Sequence, residues 1–180
     1  MPSSAQPHRS PPSEIAALVF AIASILVFLG FSVWFWVQAP ENVATHFDSG
    51  GQPDDWTSKA GLLGIFVPVG VGLPVLMSIR PLFEKLPASL INAPHKEYWL
   101  ERDEKTYLLD CLMELLRFTA GLTALLIAAI LVIIAEAARS ATMSEWLTFV
   151  PTAIFLAATG LAVCRFYRRL TPTEVTALRR

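Results

Sequence analysis

Four stretches of this chain carry no charged residue: 15–37, 60–79, 118–135 and 146–164. They hold 23, 20, 18 and 19 residues, and Lys59 and Arg80, Arg117 and Glu136, and Glu145 and Arg165 bracket the last three. A helix rises 1.5 Å per residue, so about 20 residues cross a hydrocarbon layer of about 30 Å. All four are long enough. Soluble helices average about 11–12 residues and keep a polar face. Four unbroken apolar blocks in 180 residues do not fit that pattern. The expected fold is an all-α integral membrane protein with four transmembrane helices.

The composition agrees. Hydrophobic residues make up 54% of the chain and charged ones 16%, with a net charge of −1. This is too apolar for a disordered protein, and the balanced charge gives no case for a nucleic-acid partner. Two cysteines, without a CxxC or His/Cys grouping, exclude a disulfide framework and a zinc site evident from sequence. No cofactor site is expected. The first block is too long for a signal peptide, ends in Trp34, Phe35 and Trp36, and meets Pro40 where cleavage would fall, so it reads as a retained helix. Ser13 is the expected N-cap, with Pro11 and Pro12 blocking backward extension.

With four spans, both tails and the loop 80–117 share one side. That side holds twelve of the 14 basic residues. The positive-inside rule then places both termini in the cytoplasm of a multi-pass inner-membrane protein. Trp34, Trp36 and Trp146 fall at the outer ends of spans, as an aromatic belt would place them. Cys111 and Cys164 fall near or on the inner side, and no disulfide is expected between them.

Residues 1–13 read as a disordered tail, 14–117 as one unit of two spans with an outer loop 38–59 and an inner loop 80–117, 118–164 as the last two spans, and 165–180 as a basic tail. Glycines at 61, 64, 70 and 72 and prolines at 68 and 74 predict a kinked or partly unwound second span. Ordinary close packing is favoured over a working hinge as their role. The third helix is expected to begin near Asp103, as an amphipathic extension ahead of its span. Its polar stripe of Asp103, Asp110, Glu114 and Arg117 reads as a solvated face rather than a proton or ion relay. Ala120, Gly121, Ala124 and Ala128 form a small-residue face suited to close helix contact, including a homodimer. Thr171-Pro172-Thr173-Glu174 is a capping signal for a short C-terminal helix.

Chemistry, if any, belongs to the loops. In the outer loop, Asp48-Ser49-Gly50-Gly51 and Gln52-Pro53-Asp54 are turn signals. The favoured role is structural: Asp48 and Asp54 or Asp55 cap turns, while Phe47 and Trp56 fold the loop onto the membrane face. The second is a surface for a peptide or small ligand. The third is a metal or catalytic site using His46 and Asp48 with Asp54 or Asp55. The spacing matches no helical zinc motif and no EF-hand, and Ser58 has no visible His partner. In the inner loop, Lys96, Tyr98 and Trp99 suit an interfacial anchor more than a docking site for a cytoplasmic partner.

These loops carry a resemblance. Thr45-His46-Phe47-Asp48, Gly51-Gln52-Pro53-Asp54 and Trp56-Thr57-Ser58-Lys59, with Asn92-Ala93-Pro94 and Lys96-Glu97-Tyr98-Trp99, are similar to the motifs of a bacterial membrane family, the domain of unknown function number 1648. The resemblance covers roughly residues 15–115. The same domain occurs at the start of immunity proteins against the sporulation-delaying-protein toxin. It implies His46, Asp48, Pro53, Asp54, Trp56, Ser58 and Lys59 as outer ligand-binding candidates. Asn92, Pro94, Lys96, Tyr98 and Trp99 are the inner, partner-docking ones.

The leading expectation is therefore a non-enzymatic membrane protein of immunity or signalling type. It would bind a peptide toxin or small ligand outside and a cytoplasmic regulator inside. The alternatives are a transporter or channel subunit, resting on the broken second span, and a metal-dependent membrane enzyme using His46 and Asp48.

Overall fold

A computed structural model describes residues 11–47, 53–139 and 145–172. The first helix, α1, spans Pro12–Gln38. Pro11 is extended and caps it, and Pro12 takes the first helical position, where a missing N–H costs nothing. Ser13 therefore lies inside the first turn and is not the N-cap. The boundary expected at residue 13 moves back accordingly, and residues 1–10 lie outside the described ones. Ala39, extended ahead of Pro40, ends the helix.

The outer segment is not a plain loop. Asn42–Phe47 (β1) and Pro53–Ser58 (β2) form an antiparallel hairpin, pairing Asn42 with Ser58, Val43 with Thr57 and Ala44 with Trp56. The register shifts on both sides of His46. Val43 and Ala44 are buried, which roots the hairpin on the bundle. The turn signals at Asp48–Gly51 and at Gln52 lie outside the described residues, and Pro53 opens β2.

The second membrane helix changes geometry midway. It runs as α2 (Lys59–Val67), a π-helical turn (Pro68–Gly72) and α3 (Leu73–Ser78). The amide of Leu73 reaches back to the carbonyl of Pro68. Pro68 and Pro74 each lack an N–H, and the wider turn accommodates that loss. Gly70 packs on the buried Phe28 ring so closely that a Cβ would sit 2.7 Å from it.

The inner segment holds α4 (Arg80–Glu84), a single 3₁₀ turn (Ala88–Leu90) and α5 (Lys96–Glu101). His95 and Asp103 adopt left-handed backbone angles, φ 52° and 58°, at the two ends of α5. Asp103 therefore precedes α6, which begins at Lys105 and continues unbroken to Arg139. Its 35 residues reach about 50 Å, beyond the hydrocarbon thickness. The last helix, α7, spans Glu145–Leu170 with Pro151 inside it.

Four helices are long and apolar enough to cross a membrane. They alternate in direction. The start of α1 meets the end of α3, with Glu14 and Arg80 2.8 Å apart. At the other end, Arg139 Nη2 lies 3.3 Å from Gln38 Oε1. The end of α7 returns to α6, where Arg165 Nε is 3.0 Å from Glu114. The hairpin sits at one end of the bundle and the Glu14–Arg80 contact at the other.

The core lies between α1 and α6. Phe28, Phe35, Leu62, Ala124, Ala128 and Leu131 form one cluster with Val43. Ala120, Gly121, Ala124 and Ala128 are all buried there. A Cβ on Gly121 would come within 2.6 Å of the Phe20 ring. The small-residue face is thus spent inside the chain against α1, which removes it as a dimer contact. A second cluster near the Glu14 end joins Ile91, Leu108, Leu109 and Cys111 to Phe166 and Leu170 of α7. Outward-facing Val19, Val33, Ile65, Phe149, Ile154 and Leu161 are exposed, as side chains solvated by lipid tails would be.

Candidate functional sites

Two polar sites stand out, one at each end of the bundle. At the hairpin end, His46 Nδ1 lies 2.5 Å from Asp54 Oδ1, across the register shift. Both side chains are exposed. Asp55 Oδ1 accepts from the backbone N–H of Trp56 at 2.9 Å, and the Trp56 side chain is 54% exposed. Among the described residues, Asp54 faces a histidine and Asp55 a local amide, and the turn they were expected to cap lies outside those residues.

Ser58 and Lys59 hold the base of the hairpin. The Ser58 hydroxyl accepts from the Gly61 N–H at 3.0 Å and caps α2. The Lys59 backbone N–H donates to the Glu41 carbonyl at 2.9 Å. Its ammonium lies 3.5 Å from the Glu41 carboxylate and 5.1 Å from the centre of the Trp36 ring. These residues fasten the hairpin to the ends of α1 and α2. Asp48 lies outside the described residues. Among the described residues, no three His, Cys, Asp or Glu side chains gather in a way that could hold a metal.

The opposite end contains the feature that sequence reasoning missed. Glu14 is completely buried. Its Oε1 accepts from Arg117 Nη1 at 2.7 Å and its Oε2 from Arg80 Nη1 at 2.8 Å. Arg80 also donates to Asp110 and, through Nε, to Glu84, both at 2.7 Å. Burial alone would lower the Arg80 pKa, but the bonds to Glu84, Asp110 and Glu14 outweigh it and raise it. Arg80 keeps its charge across the ordinary pH range. Arg117 further donates through Nη2 to the Ser78 carbonyl at 3.2 Å. That carbonyl has left the helical ladder because the chain turns extended at Ile79.

The network joins α1, α3, α4 and α6 at one level. Asp110 and Arg117 are buried, so this part of the polar stripe on α6 is not a solvated face. Glu114, on the same stripe, pairs with Arg165 and Arg169 of α7. A signal for the network was present. In an up-down-up arrangement, residues 14, 80 and 117 all flank apolar blocks at the same end, and one of the three carries the opposite charge.

The inner motif is folded against the chain rather than presented whole. The Trp99 indole N–H donates to the Leu170 carbonyl at 3.0 Å, and its ring lies 4.8 Å from Tyr107. Trp99 thereby braces the end of α7. Tyr98 packs edge-on to Trp99, with the Arg102 guanidinium 3.8 Å from its ring centre. Lys96 Nζ reaches the Ala88 carbonyl at 3.4 Å, Pro94 is half-buried and Asn92 is exposed. The C-terminal capping signal reaches the described residues only at Thr171 and Pro172, where Thr171 Oγ1 donates to the Tyr167 carbonyl at 2.9 Å.

No curated protein and no solved structure matches the chain. A family model does. The matched residues, 23–77, take in most of α1, the hairpin and the second membrane helix almost to its end, while the inner motif at Asn92–Trp99 lies beyond them. Residues 23–77 match the model of the family described as Domain of unknown function (DUF1648).

Proposed function

We propose that the chain is a non-enzymatic protein of the bacterial cytoplasmic membrane, of immunity or signalling type, with both termini in the cytoplasm. Its hairpin recognises a peptide or small ligand outside, and the exposed part of the Asn92–Trp99 segment meets a cytoplasmic partner. One observation carries this reading. His46, Asp54 and Trp56 stand exposed on a hairpin whose base is fixed to the bundle by Ser58, Lys59 and buried Val43. A rigid base with a polar, aromatic surface suits recognition at low ordering cost. An extended peptide could also add to an edge of the two-stranded sheet.

The test is protection of cells against a secreted peptide toxin, together with co-purification of partners. His46→Ala is expected to abolish protection and Asn92→Ala to lose the partner, each at unchanged expression. Wild-type behaviour of both variants would contradict the reading. A transporter or channel subunit is the second reading, favoured by the π-helical turn at Pro68–Gly72. Solute flux in vesicles that falls in Pro68→Ala would support it instead.

A further inference from the structure

The inner ends of α1, α6 and α7 line a half-open cavity of about 550 Å³. That lies within the range of sites for small molecules, roughly 300–1,000 Å³. Its walls are apolar: Ala17 and Phe20 from α1, Leu115 and Phe118 from α6, Ala158 and Ala162 from α7. Its polar groups are Ser13, Glu114, Arg165 and Arg169. An adjoining hollow adds Arg168 and Cys164. The arrangement is that of an amphiphile: an oily slot with a charged mouth.

The mouth is cationic. Glu114 engages Arg165 through Nε at 3.0 Å and Arg169 through Nη1, and Arg168 lines the adjoining hollow beside them. A guanidinium carries five N–H donors, so each arginine keeps donors for further oxygen atoms. Arg165 directly follows the last apolar block, which puts the guanidinium groups at headgroup depth and the slot within the hydrocarbon. These arginines outnumber the one carboxylate, so the mouth keeps a net positive charge that a lipid of net negative charge offsets, whereas a zwitterionic headgroup brings its own cation beside its phosphate. We propose that this cavity is a binding site for one anionic phospholipid, its phosphate at Arg165 and Arg168 and one acyl chain between α1, α6 and α7. The site is separate from the hairpin and does not rest on the function proposed above.

The test uses the purified, delipidated full chain in detergent, with native mass spectrometry of retained lipid. Dioleoylphosphatidylglycerol is compared with dioleoylphosphatidylcholine, and inorganic phosphate is added as a competitor. The wild-type chain should retain one phosphatidylglycerol at least tenfold more tightly than phosphatidylcholine, and phosphate should not displace it. Removing two basic contacts in Arg165→Gln/Arg168→Gln should weaken phosphatidylglycerol by roughly thirtyfold and phosphatidylcholine by much less, so that the preference between the two lipids is largely lost. Ala158→Trp, which fills the slot with the arginines intact, should weaken phosphatidylglycerol as well. Helix content by circular dichroism checks the fold of each variant, and the lipid comparison on the wild-type chain needs no variant. Equal retention of the two lipids would overturn the proposal. So would displacement by phosphate, or retention unchanged in Ala158→Trp.

Discussion

Glu14, in the first turn of α1, and Arg117, 103 positions later in α6, share a hydrogen bond of 2.7 Å at a site closed to solvent. The second oxygen of Glu14 is taken by Arg80. Removing one partner of a buried ion pair costs about 3–5 kcal/mol, because a charge is left without compensation. Glu14→Leu should therefore lower thermal stability in detergent by about that amount. Glu14→Leu/Arg117→Met removes both charges and should be the more stable of the two variants. A double variant that is the sum of its singles would mean the pair is not coupled.

Gly121 is a packing glycine. Its Cβ position is already occupied by Phe20 and by the Ser24 hydroxyl, 3.1 Å away. Gly121→Val should destabilise the chain by about 1–3 kcal/mol through overpacking. Adding Phe20→Ala should recover part of that loss. Melting curves of the two variants decide the point, and a stable Gly121→Val would contradict the close approach of α1 and α6.

Trp99 holds the end of α7 by one hydrogen bond and a ring contact with Tyr107. Trp99→Phe keeps an aromatic ring and removes the donor, at a cost of about 1 kcal/mol. The effect should be local. Hydrogen exchange should speed up near Leu170 and remain unchanged at Phe28 and Leu131 in the core.

The hairpin should separate stability from recognition. Ser58→Ala removes the cap of α2 and should cost about 1 kcal/mol. His46→Ala changes an exposed pair and should stay within about 0.5 kcal/mol of the parent. Thermal shifts of the two purified variants give the comparison directly.

Hydropathy located the membrane helices well. The blocks 15–37 and 60–79 lie within three residues of Pro12–Gln38 and Lys59–Ser78, since a span must be apolar all round when lipid is its solvent. The extension of α6 before its span was also legible, because Leu108, Leu109, Leu112, Leu115 and Leu116 alternate with a polar stripe. The fate of that stripe was not. Asp110 and Arg117 look like solvated charges until α1 brings Glu14 beside Arg117 and the turn at Ile79 brings Arg80 beside Asp110. No local period records such a contact. The hairpin was missed for a related reason. Its strands are six residues each, the register shifts at His46, and prolines and acidic residues gave it the composition of a loop. The small-residue face of α6 was read correctly as a contact surface, but α1 of the same chain occupies it.

The proposed function depends on the hairpin and the Glu14–Arg80–Arg117 network facing opposite sides of a membrane. The most direct test replaces Cys111 and Cys164 by Ala and introduces a single cysteine, at exposed Trp56 or at exposed Glu101. A membrane-impermeant maleimide is then applied to intact cells and to inverted vesicles. The account predicts that Trp56→Cys is labelled only in intact cells and Glu101→Cys only in inverted vesicles. Labelling of both positions from the same side would contradict it.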